Sequence, residues 1–170
     1  MNDIADAGEA HVPLTEKYGG GESGPMSVRT WLRMLSCSMI VEKRLRRRFI
    51  EHYGTTLPRF DVLAALDRRP DGITMGELSQ MLLVSNGNVT ALVRQLQGDG
   101  HVTLQQDPDD RRSLIVQLTT TGAAHFAELA AAHHGWIADM FKGVSGDQQR
   151  ALYDLLSVVK TSIAAESRDR

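Results

Sequence analysis

Apolar side chains recur every three or four residues over most of this sequence, which is the spacing of one face of an α-helix. A long first helix is predicted over residues 27–53. The next helix has Thr56 as its predicted N-cap and Pro58 in its first turn, where a missing N–H costs nothing. A short helix then runs to Leu82, and a fourth covers residues 86–97.

After residue 100 the spacing of apolar positions falls from three or four residues to two. Val102 and Leu104 alternate with polar residues, and Leu114, Val116 and Leu118 alternate with Ser113, Ile115 and Gln117. A short charged segment separates the two runs. Two alternating runs joined in this way predict a β-hairpin with a charged tip.

Side chains suited to helix capping stand at the start of four predicted helices. They are Thr74 with Glu77, Ser85, Thr119, and Ser145 with Gln148. The first and last pairs have the spacing of a capping box, in which two side chains and two backbone amides bond reciprocally. Two further helices are therefore predicted after the hairpin.

The order of these elements indicates a fold class. A helix, a short helix, a tight turn, a further helix and a β-hairpin over residues 56–119 form the pattern of a winged helix-turn-helix lobe. Long helices flank this lobe at 27–53 and 120–166. Residues 1–26, rich in glycine and acids, are predicted to form a disordered tail. We expect a mostly α-helical protein with a small β-hairpin wing.

Composition argues against secreted and membrane proteins. The chain is 42% apolar and 24% charged, as ordinary globular proteins are. It has neither a signal-peptide pattern nor an apolar run long enough to cross a bilayer, so no membrane partner is expected. A single cysteine, Cys37, excludes an internal disulfide and is typical of a reducing cytoplasm.

The distribution of charge is more informative than its sum. The formal net charge is −2, which by itself does not indicate a nucleic-acid partner. However, the acids are concentrated in the tail, whereas Glu42–Phe49 holds five cations. The folded part is therefore more basic, and more unevenly charged, than the total suggests.

The helix over residues 86–97 has one apolar face and one polar face of unusually small side chains. Val89, Leu92, Val93 and Leu96 form the apolar stripe. The other face has no acid and one cation, so it could approach base edges in a DNA major groove. The alternative is an ordinary solvent-facing helix. The predicted DNA-binding residues of this region are Ser85, Asn86, Gly87, Asn88, Thr90, Ala91 and Arg94.

The hairpin tip combines acids and arginines. An arginine at a wing tip can enter the minor groove, whose narrowness concentrates negative potential. Neighbouring aspartates can hold the guanidinium of a second arginine and fix the shape of the loop. The alternative is a solvated turn whose ion pairs contribute little.

The stretch from Gly76 to Gly122 resembles the DNA-binding core of the MarR family of bacterial transcription regulators. The family pattern Asp-x-Arg-Asp-x-Arg, a strand, and Leu-Thr-x-x-Gly is matched by Asp107, Asp110, Arg112, Leu118, Thr119 and Gly122. Asp109 stands where the family has arginine. The resemblance therefore implies Arg111 as the minor-groove residue, Asp107 and Asp110 as the wing scaffold, and Arg112 as both brace and DNA contact.

The resemblance covers roughly residues 27–163, and it implies how the protein assembles. In this family the first helix and the last two helices pair two copies, which makes 27–53 and 120–166 the dimerisation region. A homodimer implies a pseudo-palindromic operator on double-stranded DNA, with half-sites about 10 bp apart. The implied function is a repressor that a small aromatic effector releases from DNA.

Parts of the sequence are similar to the subgroup of regulators that respond to hydroxycinnamoyl-coenzyme A thioesters. This similarity implies p-coumaroyl-CoA or feruloyl-CoA as the effector, with no cofactor. The aryl group needs an apolar slot and the nucleotide end needs cations. The residues expected to serve these needs are Trp31, Leu35, Met39 and Phe60 for the ring, and Lys43, Arg44, Arg47 and Arg48 for the phosphates. Alternatively, these cations contact only the DNA backbone or solvent.

Cys37 raises the alternative of a thiol-based redox sensor, as in some relatives. It lies well inside the first helix between two serines, with no cation adjacent in sequence. Such a position favours a small packed side chain over a reactive thiolate.

Other functions find less support. His133 and His134 point about 100° apart on a helix, and His125 is poorly spaced from both, so no metal site is expected. No nucleophile elbow or phosphate-binding glycine loop marks an enzyme. A winged-helix module that binds protein instead of DNA is the remaining alternative.

Overall fold

The computed structural model describes residues 24–108, 110 and 112–166. Six helices and three strands follow one another in these residues. They are α1 (Met26–Tyr53), α2 (Leu57–Asp67), β1 (Ile73–Thr74), α3 (Met75–Leu82), α4 (Asn86–Gly98), β2 (Val102–Gln106), β3 (Leu114–Leu118), α5 (Thr120–Phe141) and α6 (Gly146–Glu166). This mostly helical architecture with a small hairpin is the predicted fold class. The predicted tail lies outside the described residues up to residue 23.

The chain divides within α1 into an N-terminal unit ending at Arg47 and a C-terminal unit beginning at Arg48. The C-terminal unit contains all the elements of the predicted winged lobe. Its core is aliphatic apart from Phe49 and Phe60, because each amphipathic element contributes its apolar face. The fully buried large side chains are Phe49, Val62, Leu63, Leu66, Leu78, Val89, Val93, Leu96, Val116 and Leu129.

The sheet has three antiparallel strands in the order β1-β3-β2. The hairpin pairs Val102 with Leu118 and Leu104 with Val116. Val116 also pairs with Ile73 of β1, a strand that the sequence analysis missed. Two residues are too few to show a periodicity, and the second of them is the N-cap of α3. Leu114, predicted on the buried face, is 45% exposed because it lies at the distal end of the hairpin.

Three of the predicted caps are present. Thr74 and Glu77 bond reciprocally, since the Glu77 amide donates to Thr74 Oγ1 (3.2 Å) and the Thr74 amide donates to Glu77 Oε2 (2.8 Å). Ser145 and Gln148 do the same at the start of α6. The Gly122 amide donates to Thr119 Oγ1 (2.9 Å), which starts α5.

Two predicted N-cap residues stand at the expected positions, but their side chains make no capping hydrogen bond. Thr56 is the N-cap residue of α2, but its side chain makes no capping bond. Pro58 has no N–H to offer, and the Arg59 amide donates to the Thr56 carbonyl instead. Ser85 precedes α4 in extended conformation, also without a side-chain capping bond, and it remains exposed.

Candidate nucleic-acid interface

Helix α4 is anchored by one face and open on the other. Val89, Val93 and Leu96 are at most 1% exposed, and Leu92 is half-buried at the edge of this stripe. Burying such side chains stabilises by about 1.5–3 kcal/mol each, so the helix is held firmly. The opposite face is exposed at Asn86, Gly87, Asn88, Ala91 and Arg94, all of them predicted DNA-binding residues.

Two positions on the open face differ in what they can offer. Thr90 is half-buried, and its Oγ1 donates to the Asn86 carbonyl (2.8 Å). Its hydroxyl proton is therefore already used, so the Thr90 oxygen can offer a partner only an acceptor. A Cβ added to Gly87 would meet no atom within 4 Å, so packing does not require glycine there. Its absent side chain leaves open space on the exposed face.

The turn between α3 and α4 fixes how α4 begins. Leu83 ends α3 in the left-handed conformation, with φ of +54°. The Ser79 hydroxyl donates to the Val84 carbonyl (2.6 Å), and the Val84 amide donates to the Ser79 carbonyl (3.3 Å). Leu83 is 92% exposed. Sequence reasoning missed this residue, because a leucine gives no signal for a left-handed turn.

At the wing tip, Asp110 Oδ1 accepts from the Arg112 amide (3.0 Å) and from Arg112 Nε (3.4 Å). The Arg112 side chain is 94% exposed, so this contact shapes the loop more than it stabilises the fold. The Asp107 amide donates to the Ser113 carbonyl (3.1 Å), closing the end of the hairpin. Arg111, the predicted minor-groove residue, lies outside the described residues, as does Asp109.

The base of the wing is tied to α5 through Thr119. Its Oγ1 donates to the Gly100 carbonyl (2.8 Å), and its amide donates to the His101 carbonyl (3.0 Å). A Cβ on Gly122 would lie 1.9 Å from that His101 oxygen, so only glycine fits. The Leu-Thr-x-x-Gly segment is thus a tight joint between the hairpin and α5.

An ion pair between Arg59 of α2 and Asp99 at the end of α4 holds these two helices together. The Arg59 side chain is only 18% exposed. Sequence reasoning missed this pair, because the partners are 40 residues apart and neither stands in a motif. It fixes the orientation of α4 within the lobe.

The residues predicted to bind an effector are distributed over both units. In the N-terminal unit, Trp31 and Met39 are 56% and 45% exposed, Arg47 is exposed, and Leu35 and Arg44 are half-buried. The other two predicted effector-binding residues, Arg48 and Phe60, belong to the C-terminal unit.

Within the C-terminal unit, Phe60 belongs to an aromatic cluster. Its ring lies 4.9 Å from Phe49, 5.7 Å from Phe126 and 4.8 Å from His133, measured between ring centroids. Phe60 is 7% exposed, so a ligand reaches it only by displacing a neighbouring ring. The Arg48 guanidinium lies 6.0 Å from the Trp136 ring centroid, within the range of a cation–π contact.

His133 packs within the aromatic cluster. Its imidazole stacks on Phe60, and burial lowers its pKa, with the neighbouring His134 adding to the effect. Across residues 24–108, 110 and 112–166, no group of three or more His, Cys, Asp or Glu side chains could hold a metal ion.

Cys37 is exposed, which corrects the expectation of a packed thiol. The neighbouring Ser38 and Met39 are exposed as well, so the side chains around the cysteine do not enclose it.

None of the helices in the described residues is long and apolar enough to span a bilayer.

These features define a winged helix-turn-helix protein, and comparison with known proteins identifies its family. The model of the MarR family matches residues 53–113. The transcriptional activatory protein BadR of Rhodopseudomonas palustris is 31% identical over an alignment of 137 residues, and the match covers 77% of each chain. The chain belongs to the MarR family of transcriptional regulators.

Solved structures agree. A MarR family regulator from Silicibacter pomeroyi is 32% identical with a TM-score of 0.69, covering 81% of this chain and 94% of that one. A mutant of MarR from E. coli, complexed with operator DNA, is 25% identical with a TM-score of 0.69, covering 78% of this chain and 95% of that one.

Proposed function

We propose that two copies of this chain bind a pseudo-palindromic operator, each with α4 in the major groove and the wing in the adjacent minor groove. The observation that carries this proposal is the exposed face of α4, whose side chains are short and include no acid, with Arg94 as its one cation. A similar solved structure is complexed with operator DNA, which supports the same use of this fold.

The homodimer is proposed from α6. This helix of 21 residues has no buried side chain between residues 146 and 165, although it is rich in leucine. Exposed apolar surface of this extent indicates a missing partner. A groove of about 680 Å³ between α5 and α6 continues the apolar surface, lined by residues that include Ile137, Phe141, Val144, Leu152 and Leu156. A second copy of α5 and α6 is the occupant we propose.

DNA binding is tested with a duplex selected by the protein from a random-sequence library, using fluorescence anisotropy over a range of salt. Affinity should fall steeply as salt rises, because counterions are released. Arg94→Ala should cost about 1–3 kcal/mol and relax the preference for particular bases. Arg46→Ala is the matched control, since Arg46 is exposed and paired with Glu42 on its own helix. A protein-binding module would select no duplex.

The effector we propose is an aromatic acyl-CoA thioester, p-coumaroyl-CoA or feruloyl-CoA. Support comes from α1, where the exposed ring of Trp31 and thioether of Met39 share a helix with Arg44 and Arg47. Apolar side chains suit the aryl group, and arginines suit the phosphates.

We also propose that the protein represses transcription and that the effector relieves this repression. The competing outcome is activation of transcription, because the relative BadR is named a transcriptional activatory protein. Transcription in vitro from a promoter overlapping the selected duplex distinguishes them, because a repressor lowers the transcript yield and an activator raises it.

Exposure of Cys37 supports a second candidate, a thiol switch. In that case organic hydroperoxide should release DNA from the wild type but not from Cys37→Ser. Equal release from both proteins, or release from neither, excludes the thiol switch.

A further inference from the structure

The rings of His101 and His125 stack at the base of the wing. Their centroids are 4.3 Å apart and their planes differ by 15°. His101 directly precedes β2, and His125 lies on α5, one turn after Gly122. The pair therefore joins the first strand of the wing to the helix that leads into the proposed dimer surface.

The backbone of His101 connects three elements. Its amide donates to the Leu96 carbonyl of α4 (2.9 Å), and its carbonyl accepts from the Thr119 amide in front of α5. Gly122 lies directly against the same carbonyl. A change in the distance between His101 and α5 therefore moves the wing, together with the end of α4 to which His101 is bonded, relative to α5.

The stacked arrangement favours neutral rings. Within the part of the chain that the structure describes, no hydrogen-bond partner reaches the buried Nδ1 of His101. Protonation places a hydrogen on both ring nitrogens, so it would add a buried donor without an acceptor. Two imidazolium rings at this distance would also repel each other.

The charged groups around the pair come from each neighbouring element. Burial is the main cause of the lowered pKa of His125, and His101 and Arg59 of α2 lower it further. Glu128 on α5 and Asp99 at the end of α4 act in the opposite direction. Arg59 and Asp99 are paired with each other, so their opposite effects partly cancel, and burial remains the main reason for the lowered pKa of His125.

We propose that His101 and His125 form a proton-sensitive latch that holds the wing against α5 while both rings are neutral and opens on proton uptake, which weakens DNA binding. Once the latch is open, the His125 ring is exposed to solvent and regains the proton affinity that burial had lowered. Acid therefore favours the open latch, by up to about tenfold per pH unit through the proton that His125 takes up. This inference rests on the proposed DNA binding.

The test measures affinity for the selected duplex at about pH 7.5 and about pH 5.5, at constant salt, with the full chain. Wild type should lose about tenfold or more in affinity over this range. His125→Phe keeps an aromatic ring on His101 but cannot take a proton, so it should lose clearly less. His52→Gln removes an exposed histidine elsewhere and should behave as wild type.

Hydrogen exchange tests the latch without any substitution. At acid pH the Thr119 and Gly122 amides of wild type should lose protection, after correction for intrinsic rates, while the Leu129 region of α5 keeps it. Unchanged protection of these amides, or a wild-type pH response in both His125→Phe and His101→Phe, overturns the latch. Failure of wild type to bind any duplex at about pH 7.5 overturns the proposed function instead.

Discussion

The carbonyl oxygen of His101 lies where a side chain on Gly122 would begin, 1.9 Å from the position of a Cβ. This contact presses the first strand of the wing against the first turn of α5. The wing is therefore positioned by a backbone-to-backbone approach that tolerates no larger residue. Much of what the hairpin can do on DNA depends on this joint.

Gly122→Ala should destabilise the protein by about 1–3 kcal/mol or more, because the added methyl overlaps backbone that cannot move freely. Thermal or urea unfolding measures the loss. Gly135→Ala is the control on the same helix, since a Cβ there meets nothing within 4 Å. It should stabilise by about 1 kcal/mol through helix propensity. Equal effects of the two substitutions would contradict the joint.

Arg111→Ala should weaken binding of the selected duplex by about 1–3 kcal/mol and leave the melting temperature unchanged. The reason is that the role proposed for Arg111 is a contact in the minor groove, where a narrow groove attracts arginine. Anisotropy and thermal unfolding give the two quantities. If Arg111→Ala bound the selected duplex as tightly as wild type, Arg111 would not contact DNA, and Arg112 would be the next wing residue to test.

Leu155→Glu should turn the proposed homodimer into monomers, because Leu155 is 66% exposed on α6 and a carboxylate would be buried in the pair. Sedimentation equilibrium reports the mass. Gln97→Glu adds the same charge on α4 and should leave the mass unchanged. A wild-type protein that sediments as a monomer would contradict the pairing through α6.

Folding stability should decline in mild acid partly through His133. Burial lowers its pKa in the folded state, so the unfolded chain binds the proton first. The stability is full above about pH 6.5 and falls as the pH drops from there toward the lowered pKa. His133→Phe, which fills the same place between aromatic rings, should flatten the dependence of unfolding free energy on pH. An unchanged slope would assign the acid loss to other groups.

Feruloyl-CoA or p-coumaroyl-CoA should lower affinity for the selected duplex, whereas the free acids should not, because only the thioesters offer phosphates to the arginines of α1. Arg44→Gln and Arg47→Gln should weaken this response. Titration calorimetry measures thioester and acid side by side. Tighter binding of the free acid would reject the acyl-CoA proposal.

Sequence periodicity predicted the order of the elements because each segment shows its own buried face. The stripe of Val89, Val93 and Leu96 could be placed on one side of α4 before any packing was known. The capping boxes could also be predicted from the sequence, since each joins two residues that are three positions apart. Strand β1 was missed because two residues show no period.

Much of the candidate site could also be predicted. The open face of α4 follows from the position of its buried stripe, and the contact between Asp110 and Arg112 follows from their closeness in the chain. The exposure of Cys37 and the enclosure of Phe60 could not be predicted in this way. Both depend on which other elements cover a given face, and a single segment carries no such information.

The sequence by itself determined six helices, a charged hairpin and the short side chains on the exposed face of α4, because these depend on local spacing and on neighbours a few residues apart. Only the tertiary structure decided which distant residues come into contact. These contacts are the ion pair of Arg59 with Asp99, the stacking of His101 on His125 and the close approach of the His101 carbonyl to Gly122. Each of these contacts joins residues about 20 or more positions apart, and it exists only once the packed core has fixed where the elements lie.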